Sequence, residues 1–231
     1  MEIREFLQRD KYRLLLASLI GLIFVEPLLY EFPLTRFLFV VFQSFTLMAC
    51  VYAVRGSRRH LMVALVLMVP IFLATWLSEV LGGSSFWYLM IEVSPVLLFV
   101  YIGMLIFRVL IQARNRDIDV DMIAGGISVY LLIGLVYGLI YSVLYQHAPH
   151  SFNVSAALLD FEEPRDLQHL FIYFSYVTMT TLGYGDISPI TNLARVLVQL
   201  ETLGAQLFLA IFIARLVGIH IALGSSKEND S

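Results

Sequence analysis

The sequence contains little charge and almost no cysteine. Charged residues make up 14% of the 231 residues and hydrophobic residues 59%, whereas soluble domains usually carry about a quarter charged residues. This composition argues against a soluble enzyme. The single cysteine, Cys50, permits neither an intrachain disulfide nor a cysteine-based metal cluster. The formal net charge of -3 provides no excess of basic residues, so no nucleic-acid partner is expected.

What the sequence has in abundance is long apolar runs. A membrane-crossing helix needs about 20 predominantly apolar residues. Six runs come close to that length or exceed it, so the sequence predicts an all-α membrane protein with six transmembrane helices. Glu26 and Pro27 lie near the end of the first run, where a cleavage site would need small residues, so we expect a retained helix rather than a signal peptide. The six runs are residues 14–30, 33–54, 61–81, 86–111, 122–145 and 191–223.

Basic residues are distributed unevenly between the connecting segments. With six spans, eleven Lys and Arg residues fall on one side of the membrane, and only Arg36, Arg165 and Arg195 fall on the other. Cytoplasmic loops carry an excess of Lys and Arg. The sequence therefore predicts an integral protein of the cell (plasma) membrane with both termini in the cytoplasm.

One apolar stretch, residues 167–180, is too short to span the membrane. Its roughly 14 residues cannot cross a hydrocarbon core of about 30 Å. Such a segment is tolerated at membrane depth only where protein or a water-filled cavity surrounds it. We therefore expect a re-entrant helix, entering from outside, besides the six spans. It leads into the heptad TTLGYGD at residues 180–186.

The heptad has the chemistry of a cation filter. Stripping a cation of its water requires successive carbonyls that point to one axis, and glycine adopts the alternating backbone conformations at least cost. Gly183 and Gly185 provide that alternation, while Thr181, Leu182 and Tyr184 add carbonyl oxygens. One strand cannot surround an ion, and the sequence contains one such loop. Four copies around a rotational axis would complete the ring, which predicts a homotetramer.

The stretch YFSYVTMTTLGYGDISP, residues 173–189, resembles the pore helix and selectivity filter of the potassium channel superfamily. The resemblance extends over about residues 122–223 as a two-helix pore module and points to a six-transmembrane, single-pore-loop ion channel of bacterial type. It implies passive, potassium-selective conduction, with potassium ions and the lipid bilayer as partners, no enzymatic activity and no cofactor apart from potassium. The potassium-binding residues would be Thr181, Leu182, Gly183, Tyr184 and Gly185.

The resemblance also implies residues that support the filter. Tyr184 would face away from the pore toward Tyr173, Phe174 and Tyr176, and Tyr173 would donate a hydrogen bond to Asp186. Glu201, in the last run, is expected to bond to Ser175 or Thr178 and to brace the filter. The expected support residues are Tyr173, Thr178, Thr180, Asp186 and Glu201.

The last run should line a cavity below the filter with one face. Gln206, Leu209, Ile213 and Val217 recur at helical spacing and are the candidate cavity and gate residues. Gly204 is either a hinge of this helix or a site of close helix packing, and the sequence favours neither reading.

The expected domain organisation is a four-helix membrane domain at residues 1–116, a pore domain at 117–223 and a short cytoplasmic tail at 224–231. No Lys or Arg occurs between residues 82 and 107, so the fourth helix lacks the gating charges of a voltage sensor. No cytoplasmic regulatory domain is expected. Two alternatives stay open: a weakly selective cation channel in which Leu182 loosens the filter, and a modulatory or sensor subunit with a vestigial pore.

Several outer polar residues have both a functional and an ordinary interpretation. Carboxylates at the outer ends of the spans either sense protons or divalent cations, or reach interfacial water and pair with Arg36. The acidic outer loop forms either a cation-attracting ring or a solvated segment, and the outer histidines are either pH-sensitive or ordinary surface residues. These residues are Glu26, Glu79 and Glu92 of the spans, Asp160, Glu162, Glu163 and Asp166 of the loop, and His147, His150 and His169.

Overall fold

A computed structural model describes residues 10–25, 28, 35–54, 57–81, 85–112, 120–158 and 164–228. Seven α-helices carry the fold within these ranges. They are α1 (Lys11–Ile20), which a π-helical turn (Gly21–Val25) continues, α2 (Thr35–Ala53), α3 (Arg58–Leu81), α4 (Ser85–Gln112), α5 (Val120–His147), α6 (Pro164–Met179) and α7 (Asn192–Glu228). Two short strands, β1 (Phe152–Val154) and β2 (Ile187–Pro189), and two 3₁₀ turns, Pro149–Ser151 and Ala156–Leu158, complete the described part.

The helices agree closely with the apolar runs of the sequence. Each of the six predicted runs contains a helix, and the short apolar stretch forms α6. Within the described ranges, four helices are long and apolar enough to cross a membrane, namely those of segments Arg58–Trp76, Val93–Gln112, Val120–His147 and Asn192–Gly218. The apolar helical part of α2, Val40–Ala53, is shorter. The chain is therefore a helical membrane protein with four helices of spanning length.

Helix α5 lies at the centre of the packing, in contact with α1, α4, α6 and α7. Its apolar side chains interleave with those of α1 and α4 in one continuous core, because all three helices are apolar over most of their circumference. A second, smaller core joins α5 to α6 and to the strands β1 and β2. Fully buried members of the larger core include Leu15, Leu19, Leu98, Ile102, Leu132 and Leu135.

Glycines on α5 let α6 approach its backbone closely. A Cβ atom on Gly138 would lie 2.7 Å from the Cα atom of Ile172, and one on Gly134 would lie 2.4 Å from the Cε1 atom of Tyr176. No side chain larger than hydrogen fits at either position. Gly134 and Gly138 are four residues apart and so lie on the same face of α5. This glycine face fixes the position of α6 beside α5.

A carboxylate at the start of α5 caps the first helix. The Oδ1 atom of Asp121 accepts hydrogen bonds from the backbone N–H groups of Tyr12 and Arg13, at 2.8 and 3.0 Å. The first N–H groups of a helix have no partner within the helix, and the helix N-terminus favours negative charge. Asp121 satisfies both requirements from a distant part of the sequence. It thereby joins α1 to α5.

An antiparallel pairing of β1 with β2 links the segments on either side of α6 and the heptad. Phe152 pairs with Pro189 and Val154 with Ile187, and the backbone N–H of Ser155 donates to the carbonyl of Asp186 at 2.9 Å. The sequence predicts only a polar loop before α6, because three-residue strands are too short for a recognisable alternating pattern. The pairing fixes where the chain leaves the heptad.

Candidate selectivity filter and its supports

The backbone of the heptad alternates in hand. Thr181, Gly183 and Gly185 have positive φ angles of 62°, 58° and 80°, and they alternate with Leu182 and Tyr184, whose φ angles are not positive. The two glycines are the ones that the sequence indicates. Thr181 is a third such position, where a side chain costs about 1–2 kcal/mol. Every second residue therefore turns its peptide group, and successive carbonyls can point to one side.

In the described part of the chain, backbone N–H groups of the heptad have hydrogen-bond partners, whereas the carbonyls of residues 181–184 have none. The backbone N–H groups of its first four residues donate to carbonyls in the last turn of α6, which have no partner further along their own helix. Within the part of the chain that the structure describes, no hydrogen bond reaches the carbonyls of residues 181–184. The strand thus presents free acceptors, which suits a cation. The bonds run from Thr180 to Tyr176 (3.1 Å), from Thr181 to Thr178 (2.9 Å), and from Leu182 and Gly183 to Val177 (3.0 and 3.2 Å).

One face of the heptad is open in the single chain. The side chains of Leu182 and Tyr184 are 56% and 67% exposed. A Cβ atom built on Gly183 or Gly185 would meet nothing within 4 Å. No described residue of the same chain completes a cage of oxygens around an ion at this strand.

A hydrogen bond joins α6 to the end of the heptad. The hydroxyl of Tyr173 donates to Oδ2 of Asp186 at 2.7 Å, as the sequence predicts. This bond, with some burial, raises the pKa of Tyr173 to about 12. The other carboxylate oxygen, Oδ1, accepts from the backbone N–H of Ile187 at 3.0 Å. Both carboxylate oxygens of Asp186 therefore accept a hydrogen bond.

A buried carboxyl group connects the three helices of the pore module. Glu201 on α7 is fully buried; its Oε2 accepts from the hydroxyl of Tyr141 on α5 at 2.6 Å, and its Oε1 is hydrogen-bonded to the hydroxyl of Ser175 on α6. The Ser175 hydroxyl also lies 2.7 Å from the carbonyl of Gly134. The expected bond between Glu201 and Ser175 is present. Tyr141 was not expected, because no sequence spacing relates residues 141 and 201.

Aromatic rings fill the space between α5, α6 and β1. Phe152 lies 5.0 Å from Phe171 and 5.4 Å from Tyr141, and Phe174 lies 5.5 Å from Tyr141, measured between ring centroids. Phe174 is buried in this cluster. It follows Phe171 because residues three apart share one side of a helix.

Tyr176 on α6 also contacts α5. Its hydroxyl donates to the carbonyl of Leu131 at 2.7 Å. Of the three aromatics expected near Tyr184, Tyr173 is the one whose hydroxyl bonds to Asp186.

Residues 129–220 match the family model described as an ion channel, of the two-helix, potassium-channel type. The match identifies an ion-channel domain over these residues, similar to those of the potassium channel superfamily. The match covers most of α5, the whole of α6 and the heptad, and α7 as far as residue 220. No curated protein and no solved structure matches the chain.

Helix α7 is continuous, and a glutamine amide on it contacts the last residue of α6. Nε2 of Gln206 donates to the carbonyl of Met179, the last residue of α6, at 2.8 Å. Ile213 and Val217 are about half exposed, at 51% and 52%, and Leu209 is partly buried. Helix α7 runs through Gly204, and nothing lies within 4 Å of a Cβ built there. Close packing at Gly204 is therefore absent within the described part of the chain, and its role as a hinge stays a prediction.

Several outer residues singled out in the sequence lie outside the described residues. These are Glu26, Asp160, Glu162 and Glu163, together with the side chains of Arg36, Glu79 and Glu92. Of the histidines, His150 is exposed, and Nδ1 of His147 is 2.9 Å from the carbonyl of Val143. Neither observation assigns His147 or His150 to the filter.

Proposed function

We propose that the protein is a potassium-selective channel that conducts passively as a homotetramer. The observation that carries this proposal is the heptad of the ion-channel domain, whose backbone alternates in hand and leaves the carbonyls of residues 181–184 free of hydrogen bonds. Potassium channels replace the hydration shell of the ion with rings of such carbonyls. The established part is an ion-channel domain in a helical membrane protein.

The geometry of one strand supports a homotetramer. Each chain supplies one open-faced strand, and a dehydrated ion needs oxygen on every side. Four strands around a closed axis supply eight carbonyls per site from two successive residues of each chain, about the number that replaces a hydration shell. The carbonyl ends of four α6 helices would also converge there, each carrying about half an elementary negative charge. Both features favour a cation on the axis.

The proposed membrane topology has six spans, with α6 re-entering from outside. Support comes from the helices that occupy all six apolar runs, including the shorter α1 and α2. Helix α5 begins beside the capped end of α1, and β1, which pairs with β2 next to the heptad, follows its other end. The filter therefore lies at the end of the bundle opposite the start of α1. With an excess of basic residues at that start, we place both termini in the cytoplasm and the protein in the plasma membrane.

We further propose that a charged fourth helix does not gate this channel. Helix α4 carries no Lys or Arg before Arg108, which lies four residues before its end at Gln112. Moving one elementary charge across the membrane is worth about 2.3 kcal/mol per 100 mV. A helix without such charges gains almost nothing from a change in voltage. Four helices in this arrangement are then a structural or sensory domain rather than a voltage sensor.

The proposed roles of individual residues follow from these contacts. Thr181 to Gly185 bind potassium, and Gly204, Gln206, Leu209, Ile213 and Val217 line the cavity or the gate. Filter support comes from the bonds that Asp186 and Glu201 accept, and from Thr180, whose hydroxyl donates to the Tyr176 carbonyl at 2.6 Å. Thr178 contributes through its carbonyl.

Planar-bilayer recording of the purified chain tests the proposal. With potassium on one side and sodium on the other, we expect a reversal potential close to that of potassium alone, and we expect the mass of the complex to equal four chains. A reversal potential near zero with clear current would favour a weakly selective cation channel. Absence of current from correctly assembled tetramers, under voltage and pH steps, would favour a modulatory subunit with a vestigial pore.

A further inference from the structure

A cavity of about 340 Å³ lies at the end of the bundle opposite the filter. Four helix ends meet there: the starts of α1 and α3 and the ends of α2 and α4. Its polar lining consists of two cations, Lys11 and Arg108, together with Ser57, His60 and Gln112. The volume falls within the usual range of ligand sites, about 300–1,000 Å³. The proposed conduction pathway does not use this cavity.

The two cations of the cavity are not neutralised within the described part of the chain. Neither Lys11 nor Arg108 forms an ion pair with a described carboxylate. The neighbouring Asp121 is 5% exposed and accepts the backbone N–H groups of Tyr12 and Arg13. Two like charges beside a cavity with hydroxyl, imidazole and amide groups favour an anion with several acceptor oxygens. A phosphate group has this chemistry.

The remaining wall of the cavity is apolar and continues along α4. Leu105 and Val109 line it, and Val109 is 43% exposed. Arg108 also stands at the lower end of a stripe of exposed side chains spaced three and four residues apart on α4. The stripe contains Leu97, Val100 and Met104, and it is about 16 Å long from residue 97 to residue 108. An apolar chain can lie along the stripe while its polar end reaches Arg108.

We propose that this cavity binds the phosphate headgroup of an anionic phospholipid, whose acyl chains lie along the exposed stripe of α4. A lipid fits better than a free anion because the cation-lined cavity opens onto an apolar surface at the end of membrane-length helices. Basic pockets between membrane helices at the cytoplasmic side bind such headgroups. The ligand would then bridge α1 and α4 through Lys11 and Arg108.

A ligand in this cavity would be connected to α5 through Tyr12. Tyr12 lines the cavity, its backbone N–H donates to Asp121 at the start of α5, and its ring lies 3.1 Å from a Cβ built on Gly125. A ligand that binds the assembled helix ends stabilises them by mass action. The bound lipid therefore stabilises the junction between α1 and the outer helix of the pore.

Native mass spectrometry of the full-length protein in detergent tests the proposal. Dioleoyl phosphatidylglycerol and dioleoyl phosphatidylcholine are added at equal concentration, and retained adducts are counted per chain. We expect retention of the anionic lipid in preference to the neutral one. The double variant Lys11→Gln/Arg108→Gln should bind it about 30-fold more weakly. The charge-preserving pair Lys11→Arg/Arg108→Lys should retain the adduct, which separates charge loss from misfolding.

A matched control removes the same charge at the same end of the bundle. Arg58 and Arg59 are exposed in the first turn of α3 and do not line the cavity. Arg58→Gln/Arg59→Gln should retain the lipid adduct. Equal loss in both neutral pairs would overturn the proposal in favour of diffuse attraction to a negative surface. Equal retention of both lipids would overturn it too, as would displacement of the lipid by inorganic phosphate at the same concentration. None of these readouts depends on ion conduction.

Discussion

Tyr141 on the outer helix donates a hydrogen bond to Glu201 on the inner helix, with 2.6 Å between the hydroxyl oxygen and Oε2. The other carboxyl oxygen bonds to Ser175 of the pore helix. One fully buried carboxyl group therefore holds three helices together behind the filter. A buried polar group without partners costs free energy, so these helices must assemble in one register to satisfy it.

Removal of the Tyr141 hydroxyl should destabilise the fold. Tyr141→Phe keeps the ring in the aromatic cluster but leaves Oε2 of Glu201 without its donor. We expect a loss of about 1–2 kcal/mol in the free energy of unfolding, measured by denaturation in detergent micelles. Tyr145→Phe is the matched control, because the Tyr145 ring contacts Phe171 while its hydroxyl makes no hydrogen bond among the described residues. Equal losses in both variants would contradict this role of the Tyr141 bond.

A methyl group at position 138 should push the pore helix away from the outer helix. The added Cβ of Gly138→Ala would lie 2.7 Å from the backbone Cα of Ile172, which cannot move without the whole of α6. We expect destabilisation of about 1–3 kcal/mol and reduced potassium flux from vesicles. Gly103→Ala, where nothing lies within 4 Å, should leave stability unchanged or slightly higher. If Gly138→Ala behaved like Gly103→Ala, α6 would not be docked as described.

Gly183→Ala should remove conduction without unfolding the protein. Its φ of 58° costs a residue with a side chain about 1–2 kcal/mol, and relaxation to negative φ would turn a carbonyl away from its neighbours. Nothing within 4 Å would clash with the new methyl group. We therefore expect near-normal helix content by circular dichroism and loss of potassium current in bilayers. Unaltered selective current would mean that the alternation of hand is not needed for conduction.

The bond between Tyr173 and Asp186 should make stability depend on alkaline pH. The pKa of Tyr173 rises from 10.0 to about 12 because its neutral hydroxyl donates to Asp186. The protonated form is favoured in the folded state, so the contribution is complete below pH 10 and is lost as the pH rises through about 12. Wild-type protein should lose stability over that interval, relative to Tyr173→Phe, in denaturation curves.

A second variant separates charge from hydrogen bonding at this contact. Asp186→Asn keeps an acceptor oxygen for Tyr173 but removes the negative charge, so the alkaline loss should become smaller than in wild-type protein. Identical pH profiles for wild-type protein and Tyr173→Phe would show that the bond does not contribute to stability.

Much of this architecture could be predicted from local sequence. Helices α3, α4, α5 and α7 begin and end within a few residues of the predicted runs, apart from a longer C-terminal end of α7, because apolar length is a property of one continuous segment. The left-handed positions Gly183 and Gly185 were also indicated, since glycine adopts positive φ at little cost. Thr181, the third such position, was not, because threonine carries no local signal for it.

The contacts around the filter and between α1 and α5 join residues that are far apart in the sequence. Tyr141 and Glu201 are 60 residues apart, and Tyr12 and Asp121 are 109 apart. No periodicity connects such pairs. The sequence predicted a bond from Glu201 to Ser175 or Thr178, and the bond to Ser175 is present. It predicted Phe174 and Tyr176 as neighbours of Tyr184, and within the single chain both side chains contact α5.

By itself the sequence determined that this protein is helical, resides in a membrane and carries the heptad of an ion-channel domain. Hydrophobic run length and glycine placement are read along the chain and need no knowledge of neighbours. Only the tertiary structure decided which polar groups meet: Glu201 with Tyr141, Asp121 with the start of α1, and Lys11 with Arg108 around one cavity. The physical reason is that a buried polar side chain needs a hydrogen-bond partner, and in this fold another helix supplies it.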